Sequence, residues 1–140
     1  ITPYCRYLGD RNHLDDLVQD TYLRALRSLH TYRGETPALR WLLTIARRAC
    51  ADAVHSHERA RRTELTRRPT IEHTASVEIE LLLDELPEDQ RQAIVLTQLL
   101  GYRYDEAADI CDCPIGTIRS RVARARKNLA TTLATIERTG

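Results

Sequence analysis

Phenylalanine and methionine are absent from this 140-residue chain, and tryptophan occurs once. A core must therefore be assembled from Leu, Ile, Val and Ala, a palette that suits helices. No alternating strand pattern appears. No long apolar run and no secretory leader is visible, so membrane insertion is not expected. Cysteine is scattered (Cys5, Cys50, Cys111, Cys113) and never forms a C-x-x-C pair. The pair at 111 and 113 is too close for an ordinary disulfide loop, so reduced, helix-packed thiols in a cytoplasmic protein are expected. His55 and His57 lie two apart, on different faces of a helix, so neither a metal site nor a cofactor is expected. No Ser/His/Asp or Cys/His grouping and no phosphate loop stands where catalysis would need it. An enzyme with a small-molecule substrate is therefore not expected.

What is present is charge, and it is unevenly placed. Net charge is only +1, and 42% hydrophobic against 29% charged residues is the balance of a folded protein. Yet residues 1–77 hold 13 basic and 9 acidic groups, residues 78–112 hold 2 and 10, and residues 113–136 hold 5 and none. Such segregation points to one chain that meets DNA in some places and protein or water in others.

Helical spacing runs from His13 to Leu29, with Leu14, Leu17, Val18, Ala25, Leu26 and Leu29 as the apolar set and Asp15, Asp16, Gln19 and Asp20 opposite. A break at His30–Glu35 leads to Thr36-Pro37, which reads as a helix start with Thr as N-cap. That helix is expected to reach about His57 and to bury Leu39, Leu42, Ala46, Ala49 and Ala53 or Val54. Residues 58–76 carry five arginines, few large apolar residues and Pro69, and read as a basic, mobile linker. Helical pattern returns at Val77–Leu86. Pro87 then opens a helix over Glu88–Leu100 that Gly101 ends.

Tyr104–Cys111, a tight turn through Asp112-Cys113-Pro114, and a helix from Ile115 to about Ile136 form a helix-turn-helix. Asp112 is among the few non-glycines that tolerate a left-handed turn position. In the last helix Ile115, Ile118, Val122, Ala125 and Leu129 make one stripe. Thr117, Arg119, Ser120, Arg121, Ala123, Arg124 and Lys127 face elsewhere. Arginines there can reach guanine edges, and small neighbours let the helix approach. The plainer alternative is a solvated helix face, but no acid lies nearby for i,i+4 pairing. A helix-turn-helix alone fits a repressor or response regulator equally well.

The first half is more specific. Leu14-Asp15-Asp16-Leu17-Val18-Gln19-Asp20-Thr21-Tyr22-Leu23-Arg24-Ala25 resembles the D-x-x-D-L-V-Q-E-T-F-L-R-A signature of the sigma-70 family, in its extracytoplasmic function (ECF) group. Tyr32-Arg33-Gly34-Glu35 and Trp41-Leu42 with Ile45-Ala46-Arg47 resemble that family's F-R-G-E loop and W-L-x-x-I-A-R helix. Leu86-Pro87-Glu88-Asp89-Gln90-Arg91 resembles L-P-x-x-Q-R, and Cys113–Arg121 resembles C-P-V-G-T-V-R-S-R.

The resemblance implies an all-α protein of two small helical domains, sigma-2 (residues 1–57, lacking most of its first helix) and sigma-4 (residues 77–140, with the helix-turn-helix), joined by a flexible linker over 58–76. It implies a factor that binds core RNA polymerase, through the β′ clamp helices and the β flap, and directs recognition of promoter DNA. An anti-sigma factor as a further partner is implied as well. Asp15, Asp16, Gln19 and Asp20 would dock on polymerase. The loop His30–Thr36 with Tyr32, Arg33, Gly34, Trp41, Arg47 and Arg48 would hold unstacked bases of the −10 element. Trp41 could equally be core. Pro114, Thr117, Arg119, Ser120, Arg121, Ala123, Arg124 and Lys127 would meet the −35 element. Two positions depart from the family pattern. Asp112 replaces the glycine of L-G-C-P, and Arg48 stands where an Asn is frequent. Nothing but a short tail follows the last helix, so no appended C-terminal domain is expected.

Overall fold

The computed structural model describes residues 1–8, 11–61 and 75–139. Among the described residues the elements are helices and turns, with no strand. The chain divides into two compact units, Ile1–Arg68 and Pro69–Gly140.

The first unit is built from α1 (Thr2–Leu8), α2 (Leu14–Arg27) and α3 (Ala38–Arg61), with single 3-10 turns at Arg11–His13 and Leu29–Thr31. All three helices pack on one another. Its core is closed by Tyr4, Cys5 and Leu8 of α1, Leu17, Thr21 and Ala25 of α2, and Leu43, Ala46, Ala49 and Cys50 of α3. Thr21 can be buried because its hydroxyl donates to the Leu17 carbonyl at 2.8 Å. All four cysteines are thiols. A hydrogen bond with Cys50 holds the Cys5 thiol below its ordinary pKa, burial opposes this, and Thr21 assists.

Two expectations about this core are corrected. The sequence pattern puts Leu26 and Leu29 on the buried side, but Leu26 is 68% exposed and Leu29 is also exposed. The cause is phase. Leu26 is nine residues past Leu17, which is half a turn at about 100° per residue. The actual stripe is Leu17, Thr21, Ala25. In α3, Leu39 is 49% exposed and Leu42 only half-buried, while Leu43 is 2% exposed and Cys50 also lies in the core. Leu39, Leu43, Ala46 and Cys50 share one line, but Leu39 sits in the first turn, where the unit does not cover it. Thr36 is not the N-cap either. The Pro37 carbonyl accepts the Trp41 N–H at 3.2 Å, so the helix begins one residue later than expected. α3 also runs past His57 to Arg61. The remainder of the expected linker, residues 62–74, lies outside the described residues.

The second unit contains α4 (Ala75–Asp84), α5 (Glu88–Ile94), α6 (Tyr104–Cys111) and α7 (Ile115–Thr139). Acids Glu88 and Asp89 in the first turn of α5 suit the positive end of its helix dipole. The expected continuous helix to Leu100 is interrupted by a π turn over Val95–Leu99. There the Leu100 N–H reaches back five residues to the Val95 carbonyl at 2.9 Å. Thr97 contributes by donating its buried hydroxyl to the Ala93 carbonyl at 2.8 Å, competing with the regular ladder. Gly101, at φ +76°, then turns the chain. Ala93, Val95, Leu96, Ala107, Ile110, Ile118, Val122 and Ala125 form the core, each at most 1% exposed. Among the described residues no helix is long and apolar enough to cross a membrane.

Candidate nucleic-acid interface

α6 and α7 form the helix-turn-helix where the pattern placed it. Asp112 ends α6 at φ 52°, ψ 54°, and the Cys113 N–H bonds back to the Ala108 carbonyl at 3.1 Å. This is the left-handed cap that a glycine ordinarily supplies. The departure at Asp112 therefore leaves the turn geometry intact. Asp112→Gly is expected to raise stability by about 0.5–1 kcal/mol, and Asp112→Val to lower it by about 1–2 kcal/mol. Urea denaturation of the full chain checks both; equal stabilities would show that the left-handed turn is not required. The Pro114 carbonyl accepts the Thr117 N–H at 3.0 Å and so starts α7.

The buried stripe of α7 is Ile118, Val122 and Ala125, whereas Ile115 is exposed and Leu129 half-buried. On the far side Arg119, Ser120, Ala123, Arg124 and Lys127 are all exposed. Arg119, Arg124 and Lys127 make no ion pair with any described residue. Ser120 donates to the Thr117 carbonyl at 3.1 Å, which keeps its side chain close to the helix. Pro114 is exposed and Thr117 half-buried at the edge of this face. Arg121 is different. It is turned inward, with Nε 3.7 Å from the Asp89 carboxylate and Nη1 3.8 Å from Cys113 Sγ.

In the first unit the loop after α2 is closed by a hydrogen bond from the Tyr32 hydroxyl to the Thr36 carbonyl at 2.7 Å. Gly34 sits inside that loop at φ +75°, with open space around it. The Tyr32 ring meets the Trp41 ring at 5.1 Å and 36°. Trp41 is half-buried on a side of α3 away from Leu43, so its packing is against this loop and not in the core. Arg48, seven residues on, falls on the same line as Trp41 and is exposed; Arg33 is exposed in the loop. Arg47 stands about 120° round the helix from Trp41 and about 40° from Leu43, half-buried, with a buried Nε that no described group accepts. Tyr32 and Trp41 are thus in contact beside the Gly34 loop, whereas Arg48 follows about two turns, ~10 Å, further along α3.

α2 carries the third surface. Asp15, Asp16 and Gln19 are exposed. Asp20 is tied to Arg24 at 3.1 Å, and Arg24 in turn to Asp52 of α3 at 2.8 Å. The Asp52 carboxylate raises the Arg24 pKa above its ordinary value. The outward line of α2 reads Asp15, Gln19, Tyr22, Leu26 at spacings 4, 3, 4, Leu29 follows in the 3-10 turn after it, and all five are exposed. It is acidic at its start and apolar at its end. Of that apolar part, the sequence pattern assigns Leu26 and Leu29 to the core. The half-turn between Leu17 and Leu26 is the signal that could have separated them.

Comparison with known proteins agrees with both units. The family pattern for Sigma-70 region 2 matches residues 4–60, and that for Sigma-70, region 4 matches residues 76–129. The chain is 44% identical over 138 residues to the ECF RNA polymerase sigma factor SigC of Mycobacterium tuberculosis, covering 90% of this chain and 73% of that one. It is 39% identical over 137 residues to the ECF RNA polymerase sigma factor EcfG of Rhodopseudomonas palustris, covering 89% and 74%. Among solved structures it is similar to the sigma factor RpoE in complex with the anti-sigma factor NepR from Bartonella quintana. The TM-score is 0.79 at 30% identity, over 95% of this chain and 89% of that chain. CnrH, solved with the cytosolic domain of CnrY, shares the fold at a TM-score of 0.73 and 23% identity, over 96% and 79%.

Proposed function

The chain belongs to the sigma-70 family as an ECF RNA polymerase sigma factor, and from that membership we propose how its surfaces divide the work of promoter-directed initiation. It acts with core RNA polymerase in the cytoplasm and supplies promoter contacts, not catalysis. Residues 1–57 serve as the sigma-2 domain and 77–140 as the sigma-4 domain, with 58–76 between them.

The −35 element is met by the outer face of α7: Arg119, Ser120, Ala123, Arg124 and Lys127, with Pro114 and Thr117 at its entry. The observation that carries this is three exposed cations on one helix face without ion pairs to any described residue, on the second helix of a helix-turn-helix. Cations already neutralised would gain little from phosphate or guanine. The −10 element is met by Tyr32, Arg33, Gly34, Trp41, Arg47 and Arg48, where stacked rings and cations suit an unstacked base. Polymerase docks on Asp15, Asp16, Gln19 and Asp20, joined by Tyr22, Leu26 and Leu29.

Run-off transcription with purified core enzyme tests the whole: initiation at discrete sites should require this chain. Asp16→Ala with Gln19→Ala should weaken binding to core enzyme by about 5-fold. It should leave sequence preference at the −35 element unchanged. Unchanged binding to core enzyme would remove α2 as the docking surface.

An anti-sigma factor controls this chain in our reading, as the relative from Bartonella quintana was solved with one. Exposed Leu23, Leu26, Leu29 and Leu39 offer it apolar surface.

A further inference from the structure

The arginine count of α7 overstates its reading face. Taking Ile118 as the centre of the buried side, Arg121 stands about 60° away, while Ser120, Ala123 and Lys127 stand about 140–180° away. Arg121 is thus a flanking residue, and its partners confirm the direction. Its Nε faces Asp89 at 3.7 Å and its Nη1 faces Cys113 Sγ at 3.8 Å, with its side chain only 24% exposed. Asp89 is in the first turn of α5, and Cys113 is in the turn before α7. One guanidinium therefore touches the scaffold helix, the turn and the recognition helix. Asn128, two turns further along the same flank, repeats the attachment by donating to Gln90 Oε1 at 2.7 Å. On the opposite flank Arg126 donates to Gln98 Oε1 at 3.0 Å.

We propose that Arg121 is a positioning residue for −35 recognition: through Asp89 and Cys113 it sets the angle at which α7 is presented to DNA, and it does not itself touch base or phosphate. This deepens the proposed function and rests on α7 being the −35 reader. The physical ground is that a guanidinium held between two groups of its own unit would have to abandon both to reach DNA. A few degrees of helix rotation would displace Arg119 and Arg124 together.

The test uses the full chain bound to core polymerase. The probe is a −35 duplex selected beforehand from a random library by the unsubstituted holoenzyme. Arg121→Ala should weaken binding by about 5-fold, as loss of a modest ion pair allows. The salt slope of log affinity should stay unchanged, and so should the preference at every base position. Arg119→Ala, by contrast, should relax preference at one base or lower the salt slope by about one. The exchanged pair Asp89→Arg with Arg121→Asp should recover most of the lost affinity, while either single reversal should not. Arg121→Lys, which keeps the charge and folds without a reversed pair, should lose less than Arg121→Ala. A reduced salt slope, a relaxed base, or full affinity in Arg121→Ala would overturn the proposal. If Arg119→Ala and Arg124→Ala also left binding untouched, the −35 assignment of α7 itself would fall instead.

Discussion

Ile118→Ala is expected to destabilise the second unit by about 2–5 kcal/mol while leaving the first unit unchanged. Ile118 is fully buried, from the first turns of α7. Removing three carbons there opens a cavity among alanines and branched side chains that have little freedom to collapse inward. A domain's whole stability is about 5–15 kcal/mol, so this single change consumes a large share of it. Trp41 makes the result easy to read. It is the single tryptophan of the chain and lies in the first unit. Its fluorescence reports that unit's unfolding, while circular dichroism reports every helix. In Ile118→Ala part of the dichroism transition should move to lower urea and the fluorescence transition should stay. Movement of both together would mean the two units unfold as one.

Replacing both Arg119 and Arg124 by alanine should have the largest effect on function. Each lost base contact is worth about 1–3 kcal/mol, so the pair should reduce −35-dependent initiation by about 30-fold or more. Binding to core enzyme should be unaffected, since neither residue lies on the docking surface proposed on α2. The measurement is run-off transcription on a promoter with an intact −35 element and on one with that element scrambled. On the scrambled template the double substitution should cost little. A similar loss on both templates would mean the arginines act through the fold or through polymerase.

The helix-turn-helix was legible because each local preference agreed with the final geometry. Tyr104–Cys111 is the helix observed, Asp112 takes the left-handed angle, and Ile118, Val122 and Ala125 of the expected stripe are buried, while Ile115 is exposed and Leu129 half-buried. The first unit was less legible. Its outward face carries exposed leucines, so polarity alone does not separate inside from outside. The π turn had no clear signal, because Thr97 is an ordinary residue until its hydroxyl finds the Ala93 carbonyl. The inward partners of Arg121 are not legible in the charge pattern, which groups it with its neighbours on α7. Asp89 is 32 residues earlier and meets it only after α5 and α7 pack.

The outward line of α2 has a kinetic corollary. Carboxylates attract over nanometres, and added electrolyte weakens them. Methyl groups act at van der Waals range and are indifferent to electrolyte. On the docking role proposed for this surface, a partner would be gathered by Asp15 and Asp16 and retained by Tyr22, Leu26 and the adjoining Leu29. How often the encounter happens and how long it lasts would then be set by different ends of one surface.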